Sequence, residues 1–376
     1  PTLGPNQPVC LGIHCCTFRD NQPWNLQFRR HGWLKADEIP YALAIDPKRQ
    51  KDHLMHSTLS RRQWLTSTAQ ATAVGALGLV PVARAATAAK LAPPLKIGIA
   101  TLGFPKLTNA ALAKELSGAG IRLIQLFLAQ SDTNFWKYNG RSDVSRLTPA
   151  RCREIATVYR DAGIAIHSLG VYTNLIHPDA VERQANLDYF AAMMDIGGHL
   201  GVRTFITEAG HHRDPKEPEP RVAHHFQDEV WSQMLATARQ LATIAEKHRA
   251  TVLLEGFYRG FLASAKRLRL FLEEVNSPHI RALLDPANLI EVNDLEEMFQ
   301  QLGPWIDCLH AKDRKVHVER GVPAGQGSLD YVKFVTLAAR HTPAAPLILE
   351  YVGPADYRAA LDHLRAALQK AGLQAE

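Results

Sequence analysis

Cysteine is scarce, long apolar runs are missing, and most of the chain carries almost no net charge. Of the 5 cysteines in 376 residues, Cys10, Cys15 and Cys16 fall near the start, and only Cys152 and Cys308 follow residue 85. That excludes a disulfide-built scaffold. Stability has to come from a core, and the 291 residues after position 85 are enough to bury a large one. The apolar stretch at 69–82 is 14 residues long and is interrupted by Gly75 and Gly78, too short for a membrane span of ~20 residues. The net charge of +6 belongs to the front of the chain: residues 1–85 hold 10 Lys/Arg and 5 Asp/Glu, against 33 and 32 in the remainder. A nearly neutral main domain carries no electrostatic footprint for nucleic acid. Nor does a G-x-G-x-x-G turn follow the first apolar run, which argues against a dinucleotide site. Gly197-Gly198-x-x-Gly201 follows a helical pattern and precedes a strand, the reverse of what such a site needs.

What is present at the front reads as processing sequence. Residues 1–54 show neither helical nor strand periodicity, and Cys10, His14, Cys15 and Cys16 match no paired-cysteine zinc spacing. They are expected to form a disordered or spurious extension, with Met55 as a natural start. Residues 55–85 then give a basic segment containing Arg61-Arg62, the apolar run, and Ala83-Arg84-Ala85. This order is that of a secretory signal, and the paired arginines resemble the twin-arginine (Tat) type, with Trp64 where Phe is usual. The expectation is export to a bacterial periplasm by the Tat translocase, with 86–376 as the mature catalytic domain.

From residue 95 onward the chain repeats one theme. Apolar runs at 95–102, 122–128, 164–171, 202–208, 251–255, 280–285, 306–310 and 346–351 alternate with amphipathic stretches at 107–119, 149–162, 178–200, 225–248, 263–275, 294–303, 329–341 and 356–371. Strands that are apolar throughout belong to a parallel sheet covered by helices on its outer face. Eight strand–helix units predict an α/β fold of the (β/α)8 TIM barrel class. A doubly wound open sheet is the alternative.

The strand ends carry the chemistry. The fifth run stops on Glu255, the sixth on Asp285, the seventh on His310, and the eighth carries Glu350. In parallel barrels the functional groups gather at the carboxyl ends of the strands. Charged groups finishing apolar strands are costly to bury without a partner, and four of them converging on one rim call for a shared divalent cation. Three carboxylates and an imidazole favour Mn2+, Mg2+ or Co2+, with Zn2+ behind them.

The motifs Leu254-Glu255, Leu284-Asp285-Pro286-Ala287-Asn288, Leu309-His310-Ala311-Lys312-Asp313, Gly325-Gln326-Gly327 and Leu349-Glu350 resemble those of the xylose isomerase-like TIM barrels. That sugar isomerase/epimerase superfamily includes D-tagatose 3-epimerase and inosose dehydratase. The resemblance spans about 95–372 and implies one divalent metal held by Glu255, Asp285, His310 and Glu350. It also implies Glu255 and Glu350 as an acid–base pair on opposite faces of a sugar, working through proton abstraction and an enediolate. Epimerisation, isomerisation and dehydration all start this way, so a lyase or dehydratase on a keto-sugar or 3-keto-glycoside is the alternative. A non-catalytic sugar-binding barrel is another. A repair endonuclease of the same superfamily is disfavoured, because it needs further histidines, one of them at the position of Asn288. Family members are often dimers or tetramers.

Further residues are expected around the substrate. His167 in the third run, Glu208 at the end of the fourth, Asn288 and Lys312 are candidate substrate contacts, although Lys312 could instead pair with a barrel carboxylate. Phe104, Trp136 and Tyr138 are placed to stack on a sugar. His211 and His212 fall in a Pro-rich polar loop and read as solvated. Arg314 and Arg320 are candidates for the arginine that the epimerases place after the histidine ligand.

Overall fold

The computed structural model describes residues 93–212, 222–317 and 321–376. The expected extension (1–54), the export signal (55–85), the first three cysteines and Arg320 lie outside these residues. No described helix is long and apolar enough to cross a membrane.

Eight parallel strands close into a barrel in sequence order. They are β1 (Ile97–Ala100), β2 (Leu123–Leu126), β3 (Ala165–Gly170), β4 (Thr204–Thr207), β5 (Thr251–Glu255), β6 (Ile280–Leu284), β7 (Ile306–Ala311) and β8 (Leu347–Leu349). The ring closes where Ile97 of β1 pairs with Leu347 of β8 and Ile99 with Leu349. One helix follows each strand: α1 (Asn109–Gly118), α2 (Pro149–Asp161), α3 (Ala180–Leu200), α4 (Asp228–Lys247), α5 (Ala265–Val275), α6 (Leu295–Leu302), α7 (Tyr331–His341) and α8 (Tyr357–Lys370). The alternation of periodicities in the sequence is therefore the architecture of the domain, and the open-sheet alternative is excluded.

Local chemistry explains where the helices begin. Side chains of Thr108, Thr148, Asp179, Ser264, Asp294 and Asp330 each accept a hydrogen bond from a first-turn amide. Caps of this kind contribute about 1 kcal/mol each. Two separate cores follow from strand alternation. Leu254, Leu284, Leu309 and Leu349 face outward and pack with the helices. Leu253, Leu283, Cys308 and Ile348 face the barrel axis, together with Phe127 and Tyr172. Two residues beyond each of these four inward positions stand Glu255, Asp285, His310 and Glu350, so the same alternation that fills the barrel aims the polar groups into its mouth.

Gly170, at the end of β3, makes room inside the barrel. A Cβ there would meet the Phe127 ring at 2.6 Å, and that ring stacks on Tyr172 at 5.8 Å. Gly170→Ala is expected to force Phe127 aside and to destabilise the domain by about 1–3 kcal/mol. Urea unfolding checks this; an unchanged midpoint would show that the ring is not confined.

Candidate functional site

Four side chains meet at the carboxyl end of β5–β8. Glu255, Asp285, His310 and Glu350 are all buried, and one potential ligand atom from each lies within 4.8 Å of the others. Atoms that share one cation at about 2.0–2.6 Å lie no more than about 4–5 Å apart, so the spacing suits a single ion. The imidazole is aimed by Gln125 on β2, whose Oε1 lies 2.9 Å from His310 Nε2. An amide oxygen only accepts, so Nε2–H is the donor and Nδ1 is turned to the carboxylates. Nδ1 faces Glu255 Oε1 and Glu350 Oε2, each at 3.4 Å, and Asp285 Oδ2 at 3.9 Å, yet makes no hydrogen bond. Asp285 is split between two tasks. Its Oδ1 accepts from the amide of Ala287 at 2.9 Å, capping the single helical turn Pro286–Leu289, which leaves Oδ2 for the cluster.

Lys312 completes the electrostatics. Its Nζ lies 2.6 Å from Asp285 Oδ2 and 3.0 Å from Glu350 Oε2 and 4.4 Å from the centre of the Tyr351 ring. Three carboxylates and one ammonium leave a formal charge of −2, which is what one divalent ion neutralises. The orphaned Nδ1, the oxygen-rich donor set and this charge count all fit a divalent cation.

With no ion, protons carry part of the missing charge. Burial pushes the His310 imidazolium down, but Glu350 and Glu255 outweigh it and hold its pKa up to about 9. Burial pushes Glu255 up, but His310, Lys312 and Tyr172 outweigh that and hold it at about 2. Burial raises Asp285 to about 6 against the pull of Lys312.

A cavity of about 230 Å³ opens above the cluster, lined by Glu255, Lys312 and Glu350 on one side and by Trp136, Tyr138 and Tyr172 on another, with Glu208 in its wall. Of the expected substrate contacts, Glu208 and Lys312 thus reach the cavity, Lys312 with its ammonium already tied to two carboxylates. Asn288 lies outside that lining, and its Nδ2 donates to Glu255 Oε1 at 2.7 Å, which positions that glutamate. His167 also departs from expectation. It is the extra residue where β3 slips register against β2, it lies outside the cavity lining, and its imidazole is bonded to Ser168 Oγ at 3.1 Å. Burial, the largest influence, holds it neutral, at about 4. Phe104 is buried against Tyr357, 5.7 Å between ring centres, while Trp136 and Tyr138 do line the cavity. His211 and His212 are half-buried rather than fully solvated.

The family model of the xylose isomerase-like TIM barrel matches residues 113–367. The chain belongs to that family. A curated Haemophilus influenzae protein, provisionally assigned as an L-ribulose-5-phosphate 3-epimerase, is 26% identical over 271 residues, covering 68% of this chain and 88% of that protein. Among solved structures, a 3-DHS dehydratase (a probable assignment) from Bacillus anthracis superposes with a TM-score of 0.59 at 17% identity, covering 73% of this chain and 99% of that one. The 3-keto-D-glucoside 4-epimerase of E. coli superposes with a TM-score of 0.57 at 17% identity, covering 72% and 99%. At these identities the structural likeness is one of fold.

Within this xylose isomerase-like barrel, several supporting residues were not legible in the sequence. Gln125 and Tyr172 are the clearest: the first orients His310, and the second donates its hydroxyl to Glu255 Oε2 at 2.9 Å. Each continues the inward register of an apolar strand, Gln125 with Leu123 and Tyr172 with Gly170. That parity is the one signal that could have found them. Asp313 accepts from the amides of Arg314, Gly325 and Leu329 at 2.8, 3.2 and 3.0 Å. It thereby ties the loop carrying Gly325-Gln326-Gly327 to the strand end, and a Cβ at Gly327 would lie 2.2 Å from Asp313 Oδ1. Arg314 Nε is bonded to Glu291 at 2.9 Å and its Nη2 to the Tyr258 hydroxyl at 2.9 Å.

Mn2+ added to the protein is expected to raise its thermal midpoint, by about 2.7 kcal/mol of stabilisation at a hundredfold excess over Kd. Asp285→Asn should remove the effect. The ion must displace the proton held on His310, so affinity should rise about tenfold per unit between about pH 7 and 8.5, with one proton released. Calorimetric titration in buffers of different ionisation enthalpy reads both quantities. Binding that is indifferent to pH would place the ion elsewhere.

Proposed function

We propose that this protein is a divalent-metal-dependent isomerase or epimerase of a sugar or keto-sugar, with Glu255 and Glu350 as its acid–base pair. The observation that carries this reading is that both glutamates belong to the four-residue cluster and line the cavity above it. A cavity of about 230 Å³ falls below the ~300–1,000 Å³ of drug-sized ligand sites and suits a single sugar ring. The mixed lining supports the same class of ligand, since aromatic rings can cover a sugar's C–H face while carboxylates bind its hydroxyls. With three carboxylates facing the cavity, a neutral sugar is favoured over a phosphorylated one.

When bound by Glu255, Asp285, His310 and Glu350, a divalent ion of the Mn2+, Mg2+ or Co2+ type would polarise a carbonyl oxygen and so acidify the neighbouring C–H. The remaining work falls to side chains. Tyr172 and Asn288 each donate to one oxygen of Glu255, keeping that carboxylate ionised and fixed in rotation. Lys312 donates to one oxygen of Glu350 at 3.0 Å. One glutamate then takes the proton from the carbon beside the carbonyl. For inversion the other must start protonated and gives its own proton to the opposite face, the first keeping the one it took. For isomerisation the first delivers the abstracted proton to the adjacent carbon.

The test is solvent exchange. Mn2+-loaded protein is incubated in D2O with a panel of neutral ketoses and 3-keto-glucosides, and label at carbon is read by mass spectrometry. Glu255→Gln and Glu350→Gln are each expected to slow incorporation by about 100-fold or more without unfolding the domain. If the loaded wild type incorporates no label from any member of the panel, the alternative of a barrel that binds sugar without turning it over takes its place.

Export by the Tat translocase to the periplasm is part of the same proposal and rests on Arg61-Arg62, the apolar run and Ala83-Arg84-Ala85. Replacing both arginines by lysine is expected to hold the precursor in the cytoplasm. Fractionation of a bacterial host decides it, and normal export of the double variant refutes it.

A further inference from the structure

Carbon chemistry of the kind proposed above needs two carboxyl groups, and the cavity holds a third. Glu208 is the residue after β4, two positions beyond the inward-facing Ile206, and lies in the cavity wall with Glu255 and Glu350. Its setting differs from theirs. Glu350 is paired with Lys312 and Glu255 is gripped by Tyr172 and Asn288, whereas Glu208 forms no ion pair among the described residues. Its carboxylate receives one hydrogen bond there, from the Tyr138 hydroxyl at 2.7 Å. Around it the cavity is aromatic: the Tyr138 ring centre lies 6.4 Å from that of Trp136 and 6.2 Å from that of Tyr172.

We propose that Glu208, held by Tyr138, is a third proton-transfer group that acts on a substrate oxygen. It makes this cavity β-eliminating toward carbonyl sugars whose leaving oxygen stands two carbons from the carbonyl. The proposal rests on the enolising role given to Glu255 and Glu350. In the step, one of those two takes the proton from the carbon beside the carbonyl, and the C–H electron pair becomes the C=C bond. The C–O bond at the next carbon breaks with its electron pair, and Glu208 gives that oxygen its proton. The products are an unsaturated carbonyl sugar and an alcohol or water. The aromatic wall formed by Trp136, Tyr138 and Tyr172 gives the departing group a surface to rest on. Burial, the largest influence, pushes the Glu208 carboxyl up, the direction a general acid needs.

The experiment compares two leaving groups. Mn2+-loaded wild type, Glu208→Gln and Tyr138→Phe are incubated in D2O with methyl and 4-nitrophenyl 3-keto-glucosides, following release of the aglycone and label at carbon. The wild type should release both. Glu208→Gln should slow methanol release by about 100-fold or more, the range of general acid catalysis. Release of 4-nitrophenol should slow by less than about tenfold, because its oxygen departs without a proton. Label entry at carbon should slow by no more than 4-nitrophenol release does, the share owed to a lost substrate contact. Tyr138→Phe should show the same leaving-group pattern more weakly, which guards against a Gln variant that fails to fold. Equal slowing of both aglycones, or wild type that exchanges label and releases neither, overturns the proposal. Wild type that exchanges no label overturns the carbon chemistry beneath it.

Discussion

Three carboxylates held within reach of one another in a buried place repel, and most of what is distinctive in this structure answers that repulsion. Lys312 reaches in from the residue after β7 to pair with two of them. His310 turns its Nδ1 toward all three. Tyr172 and Asn288 each give a hydrogen bond to Glu255. Even so, with His310 neutral, as a metal ligand must be, the formal charge is −2, and that charge is the physical reason to read the cluster as a cation site. An uncompensated cluster of this kind would be costly to bury. Its convergence on one point argues for function over stability.

The barrel supplies the means of convergence. Side chains alternate along each strand, so an inward position at the carboxyl end lies two residues beyond an inward apolar one. Leu253, Leu283, Cys308 and Ile348 plug the barrel, and the polar residues rest above that plug in a mouth that opens to solvent through the cavity. Strand ends therefore hold the four groups: Glu255 and His310 lie within β5 and β7, and Asp285 and Glu350 one residue beyond β6 and β8. The loops contribute where adaptation is useful: Trp136 and Tyr138 come from the β2–α2 connection, and Glu208 from the start of the β4–α4 connection.

Legibility in the sequence followed the range of the interaction. Strand and helix positions were readable because hydrophobic period and helix caps are local, and every expected element is present with its ends displaced by a few residues. The four strand-end residues were readable because consecutive strands of a barrel repeat one pattern. His167 was not, since a one-residue slip between β2 and β3 puts it outside the run of paired positions, and no local signal marks that slip. Asn288 follows Asp285 by three residues, a spacing that suggested substrate; the short turn Pro286–Leu289 instead swings its amide onto Glu255. Gln125 looked like an ordinary polar interruption in an apolar strand. Only the 185-residue separation closed by the barrel makes it a partner of His310.

The chain's own order of residues determined the (β/α)8 class, the identity of the four converging groups and the oxygen-rich character of their donor set, because these depend on periodicity and on residue chemistry. Tertiary structure alone decided which atoms are engaged and which are left to act. It put Lys312 on two carboxylates and gave Asn288 and Tyr172 to Glu255. It also left Glu208 with a tyrosine in an aromatic wall. Such assignments depend on distances between strands far apart in sequence, and those distances exist only once the sheet has closed.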